Sequence, residues 1–371
     1  MSETPSILVV ANTPFQIVVA CHILQLYYPQ ADVDLCISNG IRDAENIVKH
    51  ATETEAFRNV IFLRNRKCFA KGPLNKLFAW LSYIISNYRI SFSLAKNTYD
   101  ILLFSNISVL TKLLTTKLSK YNSQIKIQIF EEGMSTYTQR FADGDAPNTL
   151  YRRWVDKKGI LDSLDRLYVF NPVFLAWKPI NGHVQELPKI SSENADFRQL
   201  INQIFDYAHC QDKYDKKLIF FEESHALEGY DVPDIEIVEQ IAIRLGKDNI
   251  MVKTHPRNPI NRFASLGYKT NINTAIPWEV IMLNEKLTDK ILVTISSGSV
   301  IYPYLYLNIA AKSYSLIRCL KERPGLMKGE MGNLMETIYE TYPDIFRAPK
   351  SFDVFYKNLE KDIQCPNKII L

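Results

Sequence analysis

Several things are missing from this chain, and each absence removes a class of function. The opening MSETPSILVV lacks the basic start and cleavage site of a secretory leader. No apolar run approaches the roughly 20 residues that a bilayer-crossing helix needs. The expectation is a cytoplasmic protein, with a peripheral seat on the inner membrane left open. The six cysteines, Cys21, Cys36, Cys68, Cys210, Cys319 and Cys365, are scattered and form no CxxC pair, which sets aside a zinc site and a disulfide framework. GxGxxG, Walker, GxSxG and HExxH motifs are absent. Neither a divalent metal nor another cofactor is expected. The net charge of +4 is mild and comes with no nucleic-acid motif, so no nucleic-acid partner is expected.

What remains is a folded α/β chain. Its 371 residues suit two domains, and 47% hydrophobic against 23% charged residues is ordinary for a globular protein. Short apolar runs at Ser6–Val10, Val33–Ser38, Val60–Leu63, Ile101–Phe104 and Ile125–Phe130 alternate with helical spacing. They read as buried parallel strands. The opening unit is strand, Asn12-Thr13-Pro14 loop, then helix from Phe15 to Tyr28. The plan repeats with strands at Lys217–Phe221, Asn249–Lys253 and Lys290–Ile295 and helices at Ile235–Leu245 and Trp278–Asn284. Asp234 is the expected N-cap and Gly246 the expected stop of the first of these helices. Two Rossmann-like, doubly wound domains of GT-B type follow, over residues 1–185 and 186–371. The periodicity thins near residues 175–215. Arg64-Asn65-Arg66-Lys67 and Lys71 precede an apolar stretch, Leu74–Tyr88, read as a solvated loop before a core helix; a basic amphipathic segment on an anionic membrane is the other reading.

Three segments sit where strands end, the ligand side of open α/β sheets. Phe130-Glu131-Glu132-Gly133 puts carboxylates on a tight turn, suited to taking a proton from a hydroxyl. Val252-Lys253-Thr254-His255-Pro256-Arg257 puts a histidine between cations on a turn stiffened by Pro256, and of the six histidines only His255 has this setting. Thr294-Ile295-Ser296-Ser297-Gly298-Ser299 brings hydroxyls and backbone N–H groups to an expected helix start, suited to an anion.

In this order the three segments resemble the bacterial sialyltransferases. QIFEEGMSTY at Gln128–Tyr137 is similar to the polysialyltransferases. VKTHPRN at Val252–Asn258 and the stretch Ile276–Leu305 are similar to the multifunctional enzymes. ANTPFQ at Ala11–Gln16 is similar to the lipooligosaccharide sialyltransferases. The resemblance implies a GT-B fold and an inverting, metal-independent transfer from CMP-sialic acid to a glycan, with terminal galactose of a surface polysaccharide or lipooligosaccharide as the expected acceptor. It implies Glu131 as base and His255 as acid. It also implies Lys253, Pro256 and Glu279 on the donor, and Ser296 and Ser297 on its phosphate. Glu132 and Glu223 compete for the role of base. The alternatives are a transferase of another CMP-sugar such as Kdo and a non-catalytic glycan-binding capsule-assembly protein. A homodimer is left open.

Overall fold

A computed structural model describes residues 4–64, 73–94, 97–139, 141, 160–179, 181–225, 229–230, 232–273 and 275–364. The chain divides into two compact units, Met1–Pro188 with Ala195–Asp206, and Lys189–Asn194 with Tyr207–Leu371. The boundary expected at residue 185 falls close to this division, but helix Ala195–Ile204 lies with the first unit.

The first unit is a seven-stranded sheet of order β3-β2-β1-β4-β5-β6-β7. Its strands are β1 Ser6–Ala11, β2 Asp32–Ser38, β3 Asn59–Leu63, β4 Ile101–Phe104, β5 Lys126–Phe130, β6 Leu164–Val169 and β7 His183–Glu186. All pairings are parallel. The helices are α1 Pro14–Tyr27, α2 Ala44–Glu53, α3 Pro73–Leu94, α4 Val109–Tyr121 and α5 Ala195–Ile204. Strands such as Ile7–Val10 are fully buried, which is why they read as unbroken apolar runs. The chain winds outward from β1 to β3 and then restarts at β4, so the sheet reverses direction between β1 and β4. There Thr13 caps α1, its hydroxyl accepting from Gln16 N at 3.3 Å, and Asn12 Nδ2 donates to Asn106 Oδ1 at 3.1 Å.

The second unit repeats the winding in six strands, order β10-β9-β8-β11-β12-β13. These are β8 Leu218–Phe221, β9 Ile250–Lys253, β10 Lys269–Thr270, β11 Ile291–Thr294, β12 Lys312–Ser315 and β13 Phe346–Arg347. The helices are α6 Asp234–Leu245, α7 Arg262–Ser265, α8 Trp278–Asn284, α9 Tyr302–Leu307, α10 Glu330–Thr341 and α11 Phe352–Gln364. Helix α6 is capped by Pro233, not by the expected Asp234, whose carboxylate turns instead to Arg262 and the Ile235 N–H. Gly246 ends it at φ 82°, a left-handed backbone that favours glycine.

One buried polar knot holds the far side of this sheet. Asp362 accepts from Lys312 Nζ at 3.1 Å, Tyr314 Oη at 2.6 Å and Arg347 Nη1 at 2.6 Å. Burial alone would raise the Asp362 carboxyl, but the bonds from Tyr314 and Arg347 outweigh it and hold it below its ordinary value. Asp362→Ala leaves the buried Lys312 without its carboxylate. The expected loss is about 3–5 kcal/mol of stability, read by urea unfolding; a loss under about 1 kcal/mol would show the knot to be ornamental.

Among the described residues no helix is long and apolar enough to cross a membrane.

Candidate active site

In the second sheet the winding reverses between β8 and β11, so the crevice at their carboxyl ends is the natural ligand position. The loops that leave β8, β9 and β11 there carry Glu222 to His225, Thr254 to Arg257 and Ile295 to Ser299.

Glu223 ties two of these loops together. Its Oε1 accepts from Thr294 Oγ1 at 2.9 Å and from Ser296 N at 2.6 Å, and its Oε2 accepts from Ser296 Oγ at 2.6 Å. His225 Nε2 lies 3.0 Å from the same Oε2 and 3.2 Å from Ser296 Oγ. Burial would push the Glu223 carboxyl up, yet the bonds from His225 and Ser296 outweigh it and keep it below its ordinary value. A carboxylate so well supplied with donors is a weak base and a strong anchor.

Glu222 reaches the third loop. Its Oε2 accepts from the backbone N–H of His255 at 3.2 Å, and its Oε1 takes Arg262 Nη2 at 3.0 Å. Buried Asn271 secures the same turn, its Oδ1 accepting from Thr254 N at 2.7 Å and Thr254 Oγ1 at 3.0 Å. Within the turn, the Arg257 N–H donates to His255 Nδ1 at 3.2 Å. Nδ1 is therefore an acceptor, which assigns the proton of the neutral ring to Nε2. The imidazole is held below its ordinary 6.5, chiefly by burial and then by the Arg257 cation, with Glu223 and Glu222 pulling the other way.

Lys253 and Glu279 form an opposed pair on β9 and α8. Burial lowers the Lys253 ammonium and raises the Glu279 carboxyl, and each charge works against the other's shift. Both are half-buried.

The serines differ from expectation. They open no α-helix, because α9 begins only at Tyr302 and a 3-10 turn, Gly298–Val300, intervenes. Ser297 caps that turn, its Oγ accepting from Ser299 N at 3.2 Å and donating to Ser299 Oγ at 3.0 Å. Ser296 gives both its N–H and its hydroxyl proton to Glu223, so it can donate to a phosphate only by letting that carboxylate go.

In the first unit the acid pair divides its labour. Glu131, at the end of β5, is fully buried. Its Oε2 accepts from the Tyr137 hydroxyl and, at 2.9 Å, from Phe170 N. Burial and the nearby Glu131 charge raise the Tyr137 phenol well above its ordinary value, so it stays a donor. Glu132 is half-buried, and its N–H donates to Thr136 Oγ1 at 2.7 Å. Gly133 closes the turn at φ 119°, which a side chain would strain.

The structure thus gathers Glu223, Ser296 and the His255 turn in one crevice of the second sheet and puts Glu131 and Glu132 in the first unit. Sequence reasoning missed His225, because it has no apolar strand directly before it and no proline after it. The spacing Glu223-x-His225 was the available signal.

The profile of the family described as "Alpha-2,8-polysialyltransferase (POLYST)" matches residues 7–315. The chain belongs to the alpha-2,8-polysialyltransferase family. It is therefore a sialyltransferase-type enzyme, and its three strand-end motifs lie inside the matched span. No curated protein matches the chain. Solved structures similar to it share the fold at low identity. Arabidopsis thaliana UGT89C1 complexed with UDP is 13% identical over 99% of this chain and 91% of that one, TM-score 0.52. The glycotransferase of kitacinnamycin is 10% identical over 98% and 92%, TM-score 0.54. A UDP-N-acetylglucosamine 2-epimerase is 13% identical over 98% and 88%, TM-score 0.53. The chain thus has the GT-B fold.

Proposed function

We propose that the chain transfers sialic acid from CMP-sialic acid to a glycan hydroxyl, with inversion and without a divalent metal. The observation that carries the reading is the crevice between β8 and β11, where Glu223, Ser296 and the His255 turn converge in a member of the polysialyltransferase family. The Lys253–Glu279 pair holds the donor near its cytidine. Pro256 shapes the His255 turn. The Ser296–Ser299 turn meets the phosphate; the Ser296 hydroxyl proton is given to Glu223 and that of Ser297 to Ser299 Oγ, so Ser299 is the serine whose hydroxyl donates. A bond forms between the acceptor oxygen and the anomeric carbon while the bond from that carbon to the phosphate oxygen breaks. The charge left on CMP is met by a proton from His255, and the acceptor's proton passes to the acid pair of the first unit. The transition state has oxocarbenium character, as in glycoside cleavage, so positioning and charge stabilisation supply most of the rate.

Within the acid pair, Glu132 is the better base. Glu131 spends its Oε2 on Tyr137 and Phe170 and fixes the turn. For the acceptor, the family description favours a chain that already ends in sialic acid, over the terminal galactose expected from the opening ANTPFQ.

The test is CMP release and product mass with two donors, CMP-sialic acid and CMP-Kdo, against an α2,8-linked oligosialic acid and a galactose-terminated glycan. CMP release from CMP-sialic acid with growth of the oligosialic acid is expected. Release from CMP-Kdo alone would assign the enzyme to the other donor. No release with either donor would leave a glycan-binding protein.

A further inference from the structure

Over its residues 81–94, helix α3 turns polar groups inward and large apolar groups outward. Its inward positions carry Asn87 and Ser91, both 0% exposed, before Leu94 at 6%. Its outward positions carry Leu81, Ile85, Tyr88 and Phe92 at 40%, 51%, 52% and 54% exposure. The spacing i, i+4, i+7, i+11 sets these four side chains in one stripe along the helix. The polar groups inside are accommodated locally: Asn87 Nδ2 donates to Tyr83 O at 2.8 Å and Ser91 Oγ to Tyr88 O at 2.8 Å. The core helix expected from Leu74–Tyr88 thus turns large apolar groups to the outside over its described side chains from Leu81. A contiguous apolar stripe of this kind marks a surface meant to be covered.

The stretch of sequence that carries the stripe is lopsided in charge as well, although Arg58 and Arg64 pair with Asp34 and Glu45. Residues 56–130 contain twelve lysines and arginines and a single acid, Asp100. The whole chain has 44 basic and 40 acidic residues, so outside this segment the acids outnumber the bases. Arg89 is exposed beside the stripe. Lys117 of α4 buries its Nζ against the rings of two stripe residues, 3.8 Å from the Tyr88 centroid and 4.7 Å from that of Phe92, while Lys120 one turn on is exposed. At the end of α4, Tyr121 is 57% exposed.

We infer that α3 docks the first unit on an anionic lipid surface, with Leu81, Ile85, Tyr88 and Phe92 entering the headgroup–acyl boundary and the basic residues meeting lipid phosphates. The two features together select this occupant. A soluble polyanionic glycan would satisfy the cations but gains nothing from four exposed apolar side chains. A second copy of the chain would cover the apolar stripe but brings the same positive charge against it. An anionic bilayer answers both, as interfacial helices do. The inference is independent of the donor-site reading, since it concerns residues with no part in that site.

The experiment is flotation of the full chain with vesicles of phosphatidylcholine alone and of phosphatidylcholine with phosphatidylglycerol, at low and moderate salt. Wild type is expected to float with the phosphatidylglycerol vesicles and far less with phosphatidylcholine. The double variant Ile85→Glu, Phe92→Glu is expected to lose about tenfold or more of the vesicle-bound fraction. Its fold, followed by circular dichroism, and its CMP release in solution should be unchanged, because both side chains are on the outside. Lys120→Gln with Arg89→Gln, both exposed cations, should weaken binding at low salt and little at moderate salt. Equal binding to both vesicle types overturns the inference. So does a double variant that floats like wild type, or one whose only change is the loss of a dimer in sedimentation. Binding to soluble polysialic acid that is indifferent to Ile85 and Phe92, with no vesicle binding, assigns the cations to a glycan and also overturns it.

Discussion

His255→Ala is expected to lower CMP release and sugar transfer by about a hundredfold or more, the usual scale for loss of a general acid, while CMP itself still binds. The reason lies in the turn. Glu222 and Asn271 pin the backbone on either side of the ring, and the Arg257 N–H claims Nδ1. The bond to Nδ1 belongs to the neutral ring and is given up when the imidazolium forms, which leaves the Nε2 proton as the one to donate. Its pH signature follows from its environment. Burial first, and the Arg257 charge second, hold the ring below 6.5. An acid must start protonated, so in the free enzyme the competent fraction falls as pH rises through a value under 6.5. The basic limb of kcat/KM follows it. A bound donor brings a phosphate beside the ring, favours the imidazolium and lifts that value. The basic limb of kcat should therefore lie at higher pH than that of kcat/KM. Arg257→Gln removes a cation and should move the kcat/KM limb upward. Near-normal turnover in His255→Ala, or limbs that coincide, would remove His255 from the role of acid.

The parts of the fold that could be read from sequence were those in which one force acts alone. Strands β1, β4, β8 and β11 are buried on both faces, so they are apolar almost throughout and announced themselves. Helix α8 was readable from Trp278 to Asn284, because Pro277 and a run of buried apolar residues bound it. Strand β12 was hidden for the opposite reason. Its sequence is Lys312-Ser313-Tyr314-Ser315, yet all four residues are buried. The burial is made tolerable by Asp362, some fifty positions away, and no local pattern can signal a partner at that distance. Strands β7, β10 and β13 are edge or near-edge pieces of two to four residues, too short for a period to register. Helix α5 lies in the stretch near residues 175–215 where the periodicity thins. It is strongly amphipathic, with Phe197, Ile201 and Ile204 inward, but polar residues and prolines before it masked the pattern.

The site was legible in the same uneven way. Motifs at strand ends located the crevice, because the topology of a doubly wound sheet puts ligands there whatever the residues are. Their hydrogen-bond roles were not legible. Whether Ser296 offers its hydroxyl to a ligand or to Glu223 depends on a carboxylate seventy-odd residues earlier. The same is true of His225, which matters only because β8 and β11 are neighbours.

The acid pair gives the sharpest remaining contrast. Glu132→Gln is expected to cut transfer by about a hundredfold to ten-thousandfold, with little change in folding or CMP affinity. Glutamine keeps the size and the reach of the side chain but cannot take the acceptor's proton. Glu131→Gln should behave differently. Its Oε2 is fully buried and accepts from the Tyr137 hydroxyl and the Phe170 N–H. An amide turned so that its oxygen faces them keeps both bonds, although it loses the charge that strengthens them, about 1.5–3 kcal/mol for a bond to a charged group against about 1 for a neutral one. Thermal unfolding should then fall first and transfer only in proportion. Tyr137→Phe should reproduce that stability loss, because it removes the donor from the other side of the same bond. Glu223→Gln supplies the control in the second unit: it weakens the tie between Ser296 and His225 and should raise the KM for the donor before it lowers kcat. If Glu131→Gln abolishes transfer at unchanged stability while Glu132→Gln is active, the base is Glu131 and the buried carboxylate must open to the acceptor. If both glutamine variants in the first unit are active and Glu223→Gln alone is dead, the proton leaves through the second unit. These three outcomes assign the proton to three different carboxylates, and each is read from the same transfer assay beside a melting curve.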